Sequence, residues 1–81
     1  MKIFVANFHS LTSEDELYGL FSQYGSVRAV RVWVDVVLGE KRGFGFVEMP
    51  HDDHAKRAIR KLHGQWWHRR QLKVAKAHRT S

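Results

Sequence analysis

The stretch from Lys41 to Met49, KRGFGFVEM, constrains the fold of this chain most tightly. Residues two apart in an extended segment point to the same side of a sheet. Phe44 and Phe46 therefore share a side with Arg42 and Glu48, while Val47 and Met49 share the other with Gly43 and Gly45. Aromatic residues in strands are ordinarily core, but burying an unpaired arginine and glutamate beside them costs several kcal/mol. The phenylalanine side is expected to be wet. Three other segments answer the same way. In KIFVAN, Phe4 sits with Lys2, opposite Ile3 and Val5; in residues 27–34, Trp33 sits with Arg31 and Asp35, opposite Val30, Val32 and Val34; in residues 71–75, Lys73 lies opposite Leu72 and Val74. One side is aliphatic, and the other carries Phe4, Trp33, Phe44 and Phe46 among Lys2, Arg31, Arg42 and Lys73. The two glycines are expected to keep the inner side slim beneath whatever helices cover it.

Two helical segments separate these strands. Ser13 precedes Glu14, Asp15 and Glu16, a serine cap with a glutamate three residues on, and Leu17, Leu20, Phe21 and Tyr24 follow at helical spacing. Gly25 suits the position just past that helix. The turn Leu38-Gly39-Glu40-Lys41 joins the second and third strands, and Pro50 stops the third. Asp52 or Asp53 is expected to cap a second helix with an apolar stripe of Ala55, Ala58, Ile59 and Leu62, ended by Gly64. The order is βαββαβ. This predicts an α+β, ferredoxin-like sandwich in which two helices cover one face of a four-stranded antiparallel sheet and leave the other open. Its bounds are one domain over residues 1–77 and a short basic tail over 78–81. A domain of this size buries only about 60% of the surface of its unfolded chain, so an aromatic patch left outside marks a binding site.

Charge narrows the partner. The net charge is +6, divided unevenly: residues 1–26 carry Lys2 against Glu14, Asp15 and Glu16, while residues 27–81 carry thirteen Lys and Arg against five acids. Such a balance favours polyanions. Aromatic rings interleaved with cations suit unpaired nucleotides, because rings stack on bases while Arg and Lys meet phosphates. The absence of cysteine removes disulfides, thiolate metal sites and a cysteine nucleophile, and suits a reducing interior. No apolar run approaches a membrane span, so a cytoplasmic protein with no membrane partner is expected. His51 and His54 are three apart, but no third ligand is close in sequence, and no metal is expected. Gly43-Phe44-Gly45 lies inside a strand and is no phosphate loop. Lys56, Arg57, Arg60 and Lys61 form a solvated helix face. Of the adjacent tryptophans, Trp67 is expected to cover the core and Trp66 to be exposed.

The octamer Arg42-Gly-Phe-Gly-Phe-Val-Glu-Met49 resembles the octamer motif of the RNA recognition motif family, and Ile3-Phe-Val-Ala-Asn-Phe8 is similar to its hexamer motif. The resemblance covers essentially the whole chain and is strongest to the stand-alone, single-domain versions of bacteria. It implies that the first and third strands are the central pair, with Phe4 beside Phe46. It implies further that Phe4 and Phe46 stack on successive bases, Phe44 packs against sugars and Arg42 meets a phosphate. Asn7, Lys73, Lys76 and Arg79 would add secondary contacts; Trp33 is unusual for the family at its position and is expected, from its own side of the sheet, to extend the platform. Three residues depart from the family pattern. Met49 and Phe8 are substitutions at core positions, and Arg69 stands where the family has a turn glycine, which implies an altered turn before the last strand.

An enzyme of the same element order is the competing class. Acylphosphatases need a phosphate-cradling loop with an arginine after the first strand, and Asn7-Phe-His-Ser-Leu-Thr12 supplies neither arginine nor glycine. The expectation is a monomeric, non-catalytic module for single-stranded RNA, acting in post-transcriptional regulation, with no cofactor and no small-molecule substrate. Single-stranded DNA binding, or a protein-interaction variant of the fold, are the alternatives.

Overall fold

In the computed structural model, which describes residues 1–37 and 39–77, the chain alternates strands and helices. The elements are β1 (Lys2–His9), α1 (Glu14–Ser22), β2 (Ala29–Val37), β3 (Glu40–Glu48), α2 (Asp52–Leu62), β4 (Trp66–Trp67), β5 (Arg70–Gln71) and β6 (Lys73–Lys76). Strands β2, β3, β1 and β6 form, in that order, one antiparallel sheet. The expected sandwich is therefore present. The tail 78–81, and Arg79 with it, lies outside the described residues, as does Leu38 of the turn.

The last strand differs from expectation. Arg70 and Gln71 pair with Trp67 and Trp66 in a small separate hairpin, and β6 begins only at Lys73. Leu72 between them is held against the end of α2: its N–H donates to the Gln65 carbonyl at 2.8 Å and its carbonyl accepts from Gly64 at 2.9 Å. The hairpin turn is His68-Arg69, both with positive φ (50° and 68°), as a two-residue turn with the twist of the strands requires. Arg69 thus adopts the left-handed backbone that a glycine would take more cheaply. Trp67 packs partly buried against the core, and Trp66 is 72% exposed.

The capping box of α1 is complete: Ser13 Oγ accepts from Glu16 N–H at 3.1 Å, and Glu16 Oε1 accepts from Ser13 N–H at 3.2 Å. Gly25 lies farther beyond this helix than expected, the cap being Gln23. Its own role is to admit the His54 ring, which a Cβ at Gly25 would meet at 2.2 Å, and His54 Nδ1 accepts from Ser26 N–H at 3.3 Å. At α2 the N-cap is His51, with no side-chain cap bond; Asp52 and Asp53 instead occupy the first turn, where carboxylates meet the positive end of the helix dipole. Among the described residues, no helix is long and apolar enough to cross a membrane.

Ile3, Val5, Val47, Met49 and Val74 are buried with Leu17, Phe21, Ala55, Ala58 and Leu62 of the helices. Val34 departs from this pattern and is 50% exposed. Glu14, the first residue of α1, reaches β2 at Val32, whose N–H donates to Glu14 Oε2 at 3.2 Å, and cover fades beyond that point. The glycines of β3 also answer to something other than the helices. A Cβ at Gly43 would meet the Phe8 ring at 2.2 Å, and one at Gly45 would meet the Arg31 carbonyl oxygen at 2.1 Å. They make room for an aromatic side chain of β1 and for the backbone of β2.

Phe8 reaches the core only because β1 breaks its alternation. The β1–β3 register shifts between Ala6 and Phe8, with Asn7 at φ 68° as the extra residue. Strict period two would have put Phe8 on the same side as Phe4 and Ala6. Asn tolerates this backbone better than most residues, because its short amide can bond locally.

Candidate nucleic-acid interface

Strand register sets the open face row by row. One row reads Arg31, Phe46, Phe4, Ala75 and the next Trp33, Phe44, Ala6, Lys73. Beyond the first row, Glu48 stands between Ala29 and Lys2; beyond the second, Arg42 stands opposite Asp35. Phe4 and Phe46 are direct partners on the central strands, with ring centroids 5.6 Å apart at 59°. Trp33 lies 5.6 Å from Phe44 with the rings nearly parallel at 22°, and 5.8 Å from Phe46 at 81°. Four rings are therefore contiguous. Trp33 belongs to this cluster although it stands on an edge strand, and it is 43% exposed.

Small residues keep the rings accessible. Ala75 faces Phe4 across β6, and a recess of about 330 Å³ opens there between Phe4, Phe46, Ala75, Lys76 and Ala77. Lys2 covers Phe46, with Nζ 4.6 Å from the ring centroid, a cation–π contact of about 0.5–1 kcal/mol at an exposed site. Any planar group laid on that side of Phe46 would have to displace the ammonium. Arg31 and Lys73 are exposed on the same side, whereas Lys76, also exposed, pairs with Ile3 and so stands on the helix side of the sheet at its edge.

Two expected contact residues are engaged within the protein. Arg42 Nη2 donates to Glu40 Oε2 at 2.7 Å, and Arg42 Nε is buried without a partner. The Arg42 guanidinium, through this bond and its charge, holds the Glu40 carboxyl below the usual carboxylate range, with a smaller contribution from Arg70. Asn7 Nδ2 donates to the Gln71 carbonyl at 2.8 Å, while Arg70 donates to the Asn7 carbonyl (Nε, 3.0 Å) and to Asn7 Oδ1 (Nη2, 3.1 Å). The side chain of Asn7 thus ties the β1 bulge to the hairpin. Neither Arg70 nor Glu40 stood out in the sequence, since each depends on a partner that pattern alone does not place. Asp35 does not reach Arg42; its Oδ1 accepts from the N–H of Val36 at 2.9 Å. Among the described residues, no three His, Asp or Glu converge as metal ligands, and the His51 and His54 rings contact each other, 4.9 Å apart.

A βαββαβ sandwich with a cation-fringed aromatic sheet defines a class of single-strand binding domain, and comparison with known proteins places the chain within it. The sequence matches the family model of the RNA recognition motif over residues 3–73. It is 46% identical over 77 residues to RbpB of Nostoc sp., a match spanning 95% of this chain and 75% of that protein. It is 44% identical over 77 residues to RbpA of Synechocystis sp., spanning 95% and 76%. Its fold superposes on the crystal structure of RNA binding protein PG1 with a TM-score of 0.86 and 42% identity, covering 100% of this chain and 98% of that one. The chain belongs to the RNA recognition motif family.

Proposed function

We propose that the open sheet face binds single-stranded RNA and carries out no catalysis. The observation that carries this reading is the contiguity of Phe4, Phe46, Trp33 and Phe44 on a face fringed by Lys2, Arg31, Arg42 and Lys73, with Lys76 at its edge. Phe4 and Phe46 each stack one base, Phe44 supports the sugars between them, and Trp33 continues the platform. Arg42, released from Glu40, meets a phosphate. The curated relatives, named for RNA binding, support the same assignment. All these groups lie on one chain, so a monomer suffices, and the setting is post-transcriptional regulation in the cytoplasm of a bacterium.

Stacking contributes about 1–3 kcal/mol per base, so two or three bases with screened phosphate contacts give roughly micromolar binding after ordering costs. Titration of labelled RNA and DNA oligomers of one sequence tests the reading. The wild type is expected to bind RNA, and the Phe4→Ala/Phe46→Ala double variant, still folded by circular dichroism, to lose nearly all of that affinity. Equal affinity of wild type and double variant would overturn the stacking model, and preference for DNA would redirect it.

A further inference from the structure

Glu48 is out of place on a surface meant for phosphates. It is half-buried on the aromatic side of β3, directly opposite Lys2, yet it forms no ion pair among the described residues, and the Lys2 ammonium lies over Phe46 instead. A carboxylate there repels the backbone that the surrounding cations attract, so nonspecific affinity gains nothing from it. It does border a recess of about 260 Å³, shared with Lys2, Ala29, Arg31, Trp33 and Phe46. Phe46 and Trp33, nearly perpendicular at 81°, make two aromatic walls. The small side chain of Ala29 keeps the space open, and Glu48 is flanked by two cations. That volume suits one heterocycle, being below the range typical of drug-sized pockets.

We infer that this recess reads a single base and that Glu48 selects guanine in it; the inference rests on the RNA-binding reading above. In a single strand the Watson–Crick edge of a base is free to be read. Guanine presents N1–H and N2–H side by side, and the two oxygens of one carboxylate accept both. Its neighbouring O6 accepts from Lys2 or Arg31. Adenine and cytosine offer one amine beside a ring nitrogen whose lone pair opposes the carboxylate, and uracil offers one N–H between two carbonyls. Guanine alone gives Glu48 two charge-assisted bonds while satisfying a flanking cation. Arg42 and Lys73 remain sequence-blind; Glu48, with the flanking cation that meets O6, supplies the choice.

The test measures fluorescence anisotropy with short uridine oligomers carrying one central guanine, adenine or cytosine, or none. The wild type is expected to bind the guanine oligomer roughly tenfold more tightly than the all-uridine one, the order of discrimination of a bidentate base contact. Glu48→Gln is expected to shrink that ratio below about threefold while binding the all-uridine oligomer at least as well, because the repulsion is gone. An unchanged melting temperature shows the variant folded, and Glu48→Asp, which keeps the charge on a shorter stem, is expected to retain part of the preference. A wild type that binds all four oligomers equally overturns the guanine assignment and leaves RNA binding standing. A Glu48→Gln variant that keeps the ratio, or tightens every oligomer equally, also overturns it. Failure of the wild type to bind any oligomer overturns both readings.

Discussion

The two faces of the sheet are built from the same strands and both are apolar at their centres, yet one is sealed and the other is not. Ile3, Val5 and Val47 have no exposed surface, whereas Phe4, Phe44 and Phe46, one step along the same strands, remain partly exposed. The hydrophobicity of these six side chains does not distinguish them. What does is company: the inner residues meet aliphatic and glycine neighbours apart from Lys76 at the sheet edge, while the outer rings share their rows with Arg31 and Lys73, lie next to Glu48 and have small neighbours in Ala6 and Ala75. The outer face is apolar in its centre and charged at its margins, the arrangement of a surface that is covered only part of the time.

The contrast is open to direct attack, and the most damaging substitution falls on the inner face. Phe8→Ala empties a fully buried site and is expected to cost about 3–5 kcal/mol, enough to unfold much of the population of a domain this small; denaturant titration checks it. Phe46→Ala, on the outer face, is expected to lower RNA affinity by more than tenfold while the unfolding midpoint moves little. A variant that loses stability as Phe8→Ala does would show that the outer rings are core after all. Glu40→Gln is a smaller perturbation. It frees Arg42, so RNA affinity is expected to rise about two- to threefold at neutral pH, the small effect of a solvent-screened surface ion pair. Because Arg42 depresses the Glu40 pKa, the pair exists above that lowered value and is lost as pH falls through it, so wild type and variant should converge in acid. The smallest effect is Arg69→Gly in the hairpin. It removes the left-handed penalty against a gain in unfolded-state freedom, and thermal melts are expected to show a stabilisation of about 0.5 kcal/mol with RNA binding unchanged.

The open face was legible in the sequence because charges and aromatics obey one short-range rule, the period of two. Lys2 with Phe4, Arg31 with Trp33 and Arg42 with Phe44 declare it without reference to the rest of the chain. The bulge at Asn7 follows no such rule. It depends on Arg70 and Gln71, more than sixty residues away, and in the sequence Asn7 looks like an ordinary strand residue. The glycines of β3 were legible as necessary but not as to why, since Gly45 answers to the Arg31 carbonyl across the strand pair. The exposure of Val34 likewise depends on how far α1 extends over β2, which alternation cannot report. Patterns fix sides, and contacts across the sheet fix where the pattern stops.

The ammonium of Lys2 above Phe46 has a consequence for how binding responds to salt. Under the proposed stacking, an arriving base would not simply add itself to the ring; it would displace the ammonium, leaving it to meet a polar or anionic group of the same strand. Where that group is a phosphate, its neutralisation releases about 0.7 of a counterion, the single-strand value for one contact. Removing the charge with Lys2→Ala should flatten the salt response by about that amount, whereas weakening the ring should lower affinity at every salt concentration alike.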